Sequence, residues 1–424
     1  MNPPLQRASL LREHRRHEEA VAMLHQHLAN DPQDAEAHVE LALNRLQMPG
    51  QRALAIDDIQ RAIALAPDAG RLHALHASIL TKLDQPKQGL EAADRAITLD
   101  PENEFCWLAK GDALASLSRW KDAEAALRQA LAIDPDNDPA SNLLAIVLRR
   151  QNRLEESDSE TMRRLARDAE DPFSLANAGW SALQRGQSAE AEKFFLDALR
   201  IDPELDYARE GLKESFRARS AFYRVFLRWA FFMQRFSEKN QMWILIGIVI
   251  GFRFVRTAVQ GINPALLPPL FVLFFLFIFG TWLATGIANL MILRDKSARL
   301  SLDRAEKLDG LVVGGGFLAG LVVGFIGMAL DHPALTIAGA VLMLAAIPCS
   351  MVFTNASNIG RIVFGASAAL VYISGTIGVI LIARAPEATL FSHGAGAIGI
   401  PLLISFATTW ISMIPALRKA PVEG

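Results

Sequence analysis

Residue types able to do chemistry are present in this 424-residue chain, but their spacing assembles no catalytic set. No His-Glu-x-x-His run, the spacing that puts two imidazoles on one helix face around a metal, occurs in any apolar segment. His332 and His393 stand near the ends of apolar segments beside different neighbours, which suits interfacial polar residues rather than metal ligands. The Gly-rich run GGGFLAG lies inside an apolar stretch and lacks the Gly-Lys-Ser ending of a phosphate loop. Ser367 and Ser374 have no acid–base partner at a recognisable spacing. The two cysteines, Cys106 and Cys349, fall in different halves, so no disulfide framework is expected, which fits a reducing compartment. Catalytic residues, metal ligands and cofactors are all expected to be absent, and the chain reads as a non-enzyme. Of the 43 basic and 45 acidic side chains in the whole chain, those in the first half are interspersed with one another, which argues against a nucleic-acid partner.

The residues with a suggestive spacing are cations. In FRARSAFYRVFLRWAFFMQRFSEK, from Phe216 to Lys239, Arg217, Arg224, Arg228, Arg235 and Lys239 follow one another at steps of seven, four, seven and four. On one helix they share a face, opposite Phe222, Phe226, Trp229, Phe232 and Phe236. That pattern predicts an amphipathic helix over 216–240 lying in a membrane interface, with Arg217, Arg224, Arg228, Trp229 and Arg235 at anionic headgroups. The alternative is a last packed helix of a soluble domain, its arginine stems covering apolar surface.

Before this elbow the chain is periodic. Prolines end apolar helical runs at Pro32, Pro67, Pro101, Pro135, Pro172 and Pro203, spaced 35, 34, 34, 37 and 31. In the unit ending at Pro135, Trp107, Gly111, Leu114, Ala123, Leu127 and Ala130 recur in a set pattern. In the unit ending at Pro203, Gly179, Ala182, Ala191, Phe195 and Ala198 repeat it. Small residues belong where antiparallel helices approach closest, large ones fill the gap beside them, and proline stops the second helix. This resembles the tetratricopeptide repeat over residues 1–203, with 204–215 as a capping helix. The unit ending at Pro172 departs from it, with Ser157, Thr161 and Arg164 at apolar positions, and is expected to have longer or offset helices. The resemblance implies a concave surface that holds a protein or peptide. By repeat phase its inward residues are Arg71, Phe105, Asp112, Asn142, Arg149 and Trp180.

After the elbow the composition turns to Leu, Ile, Val, Phe, Gly and Ala. Six apolar segments over 241–417 have the length of membrane spans: 241–259, 266–293, 308–330, 333–353, 362–383 and 394–417. Gly316, Gly320 and Gly324 recur every four residues, the spacing that lets membrane helices pack closely, within a bundle or between copies in a homo-oligomer. Lys and Arg concentrate in the elbow, in 294–307, at Arg361 and in the tail 418–424, which predicts the array and the tail on the cytoplasmic side of the inner membrane. The N-terminus has no apolar core of a signal peptide, so the array is expected to stay where it is made.

The expected fold is all-α: a solenoid of about six helical hairpins, an interfacial amphipathic helix, then a polytopic bundle of about six spans. The whole pattern resembles bacterial tetratricopeptide-containing integral membrane proteins of undefined activity. Its leading functional reading is a membrane-anchored scaffold that recruits a partner protein. The alternative is a small permease or channel regulated by the repeats.

Overall fold

The structure, a computed structural model, describes residues 3–263, 266–295, 298–384, 394–412, 414 and 417. It is 82% helical, with no strand among the described residues. The tail 418–424 and His393 lie outside them.

The first half forms six hairpins: α1 (Pro3–Glu13) with α2 (His17–Asn30), α3 (Ala35–Gln47) with α4 (Leu54–Leu65), α5 (Gly70–Lys82) with α6 (Pro86–Leu99), α7 (Glu104–Ser116) with α8 (Trp120–Ile133), α9 (Asp138–Arg150) with α10 (Leu154–Leu165), and α11 (Pro172–Gln184) with α12 (Ser188–Ile201). Asp34, Asn103, Asn137 and Asp171 cap the first helices of their hairpins by accepting hydrogen bonds from backbone N–H groups of the first turn. Each hairpin turn places one residue at positive φ. Four of these, Asp84, Ser118, Asn152 and Gly186, are 34 residues apart.

This register corrects the expected offset of the fifth unit. The first helices of hairpins four, five and six begin at Glu104, Asp138 and Pro172, a strict step of 34. Pro172 therefore does not end a second helix; it opens α11, where its missing N–H costs nothing. The polar residues of α10 are satisfied in place. Ser157 donates to the Ala145 carbonyl at 2.8 Å, and Arg164 pairs with Asp138 at 2.5 Å.

Small and large residues interlock as the pattern requires. Phe195 is fully buried, with Gly179 of α11 on one side and Gly211 on the other. Gly211 belongs to α13 (Asp206–Arg217), the helix that closes the array.

The single helix expected over 216–240 is not formed. The chain breaks at 218–220, where Ser220 caps α14 (Ala221–Met233), and again at 234–237 before α15 (Glu238–Ile262). The buried face of α14 (Tyr223, Leu227, Phe231) packs against the end of the array and against α16 (Leu267–Leu293). Arg217 lies in α13 and is 5% exposed, so it is not a headgroup ligand. Arg235 turns back to the array: its Nη2 donates to Asn152 Oδ1 at 2.6 Å, and its carbonyl accepts from Trp120 Nε1 at 2.9 Å. Arg228 lies beside Gly186. Of the expected headgroup contacts, Arg224, Arg228 and Trp229 keep accessible surface.

The second half continues with α17 (Arg304–Asp309), a π-helical stretch (Gly310–Gly315), α18 (Gly316–Ala329), α19 (Pro333–Thr354), α20 (Asn358–Arg384) and α21 (Gly394–Ile411). Among the described residues four helices are long and apolar enough to cross a membrane: Lys239–Ile262, Arg304–Ala329, Pro333–Thr354 and Asn358–Arg384. That is fewer than the six expected; Leu283–Leu293 and Gly399–Thr409 are shorter apolar stretches within α16 and α21. Of the glycines at four-residue spacing, Gly320 packs against the Gly339 carbonyl of α19 and Gly324 lies close to the Gly339 backbone. Gly316 has open space around it, and Gly327, against Thr336, extends the contact instead.

Because Phe195 fills the space between two glycines, shortening it leaves a cavity that no neighbour can reach. Phe195→Ala is expected to destabilise the array by about 3–5 kcal/mol, read as a lower urea midpoint of far-ultraviolet ellipticity.

Candidate protein-binding groove

The first helices of successive hairpins line the inner surface of the array. Between α1, α3, α5 and α7 they line an open cavity of about 500 Å³. Val39, Leu43, Leu75 and Phe105 give it apolar walls. Charge is set on its rim in pairs that bridge neighbouring helices: Arg12 Nε to Glu40 Oε2 at 3.2 Å, and Arg71 to Glu36. Arg71 and Glu36 are each half exposed, so their ion pair contributes little stability and can open to an incoming charge. Such a surface suits a peptide segment that presents an apolar side chain flanked by charges.

Two of the expected groove residues, Arg71 and Phe105, line this cavity. Glu36 escaped notice although it shares their phase, one residue inside the start of its helix in each of three successive hairpins. Arg12 and Glu40 carried no comparable signal.

Three others lie outside this cavity and are engaged by other residues of the protein. Asn142 donates to Asp171 Oδ2 at 3.2 Å and accepts from Ser174 Oγ at 3.0 Å. Arg149 is 3% exposed; it donates to the Tyr207 hydroxyl at 2.8 Å and lies over the Trp180 ring. Trp180 donates to the Tyr207 carbonyl at 3.2 Å and meets the Phe231 ring edge-on at 6.5 Å. Tyr207 of α13 and Phe231 of α14 thus occupy the C-terminal end of the inner surface. Burial raises the Asp171 carboxyl, but hydrogen bonds from Ser174 and Asn142 and the charge of Arg164 outweigh it and hold it below the usual aspartate range.

Asp112 of α7 lies outside the cavity lining. Burial pushes its carboxyl above the usual aspartate range, against the smaller pull of Lys82. A raised folded value favours the protonated form, so the charge at neutral pH works against folding. Asp112→Asn is expected to raise the melting temperature at pH 7. The gain should shrink as pH falls through the raised folded value and be gone below the ordinary aspartate range, as thermal melts across pH would register.

Two tetratricopeptide-repeat family models match this chain, one over residues 108–174 and one over 174–205. No curated protein matches it. Among solved structures, a tetratricopeptide repeat protein from Parabacteroides merdae is 11% identical, with 51% of this chain and 86% of that one aligned and a TM-score of 0.45. PilF of Pseudomonas aeruginosa is 18% identical over 51% of this chain and 96% of its own, at a TM-score of 0.40. PilW, described as a type IV pilus biogenesis factor, is 21% identical over 50% and 97%, at 0.42. With the family models falling on hairpins whose small and large residues interlock at a step of 34, the N-terminal half of the chain is a tetratricopeptide-repeat array.

Proposed function

We propose that this chain is a membrane-held docking protein, whose array presents the groove around Arg71 and Phe105 to a partner protein at the cytoplasmic face of the inner membrane. Tetratricopeptide repeats make the first half a protein-interaction module. The observation that carries the rest is the fastening of that module to an apolar helical bundle. Lys213 and Arg217 of α13 pair with Glu306 of α17 at 3.1 and 3.0 Å, and Arg219 pairs with Asp295 after α16 at 3.0 Å. The connection rich in Lys and Arg therefore touches the array, which supports putting both on one side of the bilayer. In this reading α15 and α16, α17–α18 and α19, and α20 and α21 are three out-and-back pairs, and Arg224, Arg228 and Trp229 meet lipid headgroups. Aliphatic and small side chains around α19, such as Ile337, Ala345 and Ile347, support a packed anchor rather than a polar path.

Single cysteines introduced into a variant lacking Cys106 and Cys349 test the orientation. Leu330→Cys should react with an impermeant maleimide in intact cells, and Arg299→Cys only after permeabilisation; the opposite pattern would overturn it. The groove is tested by crosslinking in native membranes. Arg71→Glu with Phe105→Ala should lose a partner that the intact chain and an Arg209→Glu control both capture. Equal capture by all three would move the binding surface elsewhere.

A further inference from the structure

The joint between the first and second hairpins differs from those that follow the third and fourth. At the end of α2 stands His27, whose Nε2 lies 2.7 Å from Asp34 Oδ2 at the start of α3. Asp31 lies between them in the chain, and one donor atom from each of the three falls within 4.8 Å of the others. Two donors on one zinc ion are at most about 4.4 Å apart, so a small rotation of the exposed Asp31 side chain completes the set.

The array supplies its own control. The third hairpin has Ala96, Asp100 and Asn103 at these positions, and the fourth has Ala130, Asp134 and Asn137. Both alanines are fully buried, and both asparagines cap the next helix as neutral groups. The first joint replaces the alanine with an imidazole and the neutral cap with a carboxylate; the fifth makes a parallel change, to Arg164 and Asp171, but there the guanidinium itself supplies the cation, 3.6 Å from the carboxylate. The aspartate between them also differs. Asp100 accepts a hydrogen bond from Asn103 at 2.9 Å, and Asp134 accepts one from the Asp136 N–H at 3.0 Å. Asp31 has no such bond and no ion pair among the described residues, and it is exposed. Two changes of residue and one freed aspartate thus bring one imidazole and two carboxylates together at this joint. The sequence reading, which looked for paired histidines on a helix, missed it.

Asp34 is held in place for this task. Its Oδ1 accepts from the Glu36 and Ala37 N–H groups at 3.0 and 3.1 Å, which fixes the carboxylate and aims Oδ2 at His27.

We propose that His27, Asp31 and Asp34 bind one divalent transition cation, with zinc as the best match, and that the ion staples the first hairpin to the second. One borderline nitrogen donor with two oxygen donors suits zinc, cobalt or manganese better than calcium or magnesium, which prefer all-oxygen shells. On binding, the metal takes the Nε2 lone pair in place of the proton shared with Asp34, and that proton leaves to solvent or to Nδ1. Three protein donors leave at least one coordination position, open to water or to a donor from a docked partner. The site joins α2 to α3, and α3 carries Glu36 and Glu40 of the groove, so the ion would stiffen the helix that the groove is built on.

The test uses the full-length protein in detergent micelles, stripped of metal, titrated with zinc chloride by calorimetry and with cobalt chloride by visible absorption. The intact chain should bind one equivalent. His27→Ala and Asp31→Asn should each weaken binding by more than about tenfold, the least that even an outer partner of a ligand is worth. His25→Ala, at a histidine outside the trio, should leave affinity unchanged. Asp31 ends α2 through its backbone N–H alone and its side chain makes no capping bond, so the Asp31→Asn variant isolates metal binding from folding. Absence of stoichiometric binding by the intact chain would overturn the proposal, and so would equal affinity in the His27 and Asp31 variants. Either outcome would reduce the His27–Asp34 contact to support for a helix cap.

Discussion

A buried guanidinium fastens the two halves of this chain. Arg217 ends the helix that closes the repeat array, and it is surrounded by Glu214 at 2.6 Å, Glu306 at 3.0 Å and the Asn289 side-chain carbonyl at 3.0 Å. Asn289 in turn donates to Asp309 Oδ2 at 3.0 Å, carrying the network from the array into the apolar helices. Burial works against the charge, but the surrounding carboxylates outweigh it and hold Arg217 protonated. Stripping water from one such ion costs several kcal/mol, which only well-placed partners return. The arrangement is therefore intolerant of partial loss, because any missing partner leaves a charge buried alone. It fixes the direction in which α13 leaves the array, and through it everything that follows.

That direction explains why only part of the inner surface is open. Once α13 is held against α16 and α17, Tyr207 lies across Arg149 and Trp180, and α14 is brought over the turns of the later hairpins. A repeat array exposes its terminal apolar face unless something covers it. Here the cover is continuous with the connection to the bundle, and it also fills the C-terminal end of the groove. The free end, around Phe105 and Arg71, is the part farthest along the chain from the bundle.

The array was legible because its signals are local. A hairpin turn, an alanine facing an alanine and a proline after a helix are each decided within one repeat, so a step of 34 could be read directly from residues such as Gly111 and Leu127. The occlusion of Trp180 was not legible, since it depends on Phe231, which lies in a different element with a different periodicity. Pro172 misled for a related reason: proline marks a helix start as readily as a stop, and spacing alone does not say which. The small-residue spacing in α18 was real, but its partner proved to be Gly339 of α19, and the contact ran on to Gly327 rather than back to Gly316.

The elbow teaches a sharper lesson about amphipathic patterns. Opposed basic and aromatic faces reveal that a helix has two different surroundings, without naming either. In 216–240 the aromatic side of α14 meets α16 and Trp180, while Arg228 and Arg235 reach the turns that end α11 and α9. Helix C-termini carry partial negative charge and unpaired carbonyls, so they attract cations much as a phosphate surface does. The same residues thus satisfy two environments by the same electrostatics, and tertiary contact decided between them for Arg217 and Arg235. It follows that the position of the array against the apolar bundle is set by protein packing and buried ion pairs. A groove carried on such a mount keeps one distance from the apolar bundle, which is the property that the proposed docking role needs.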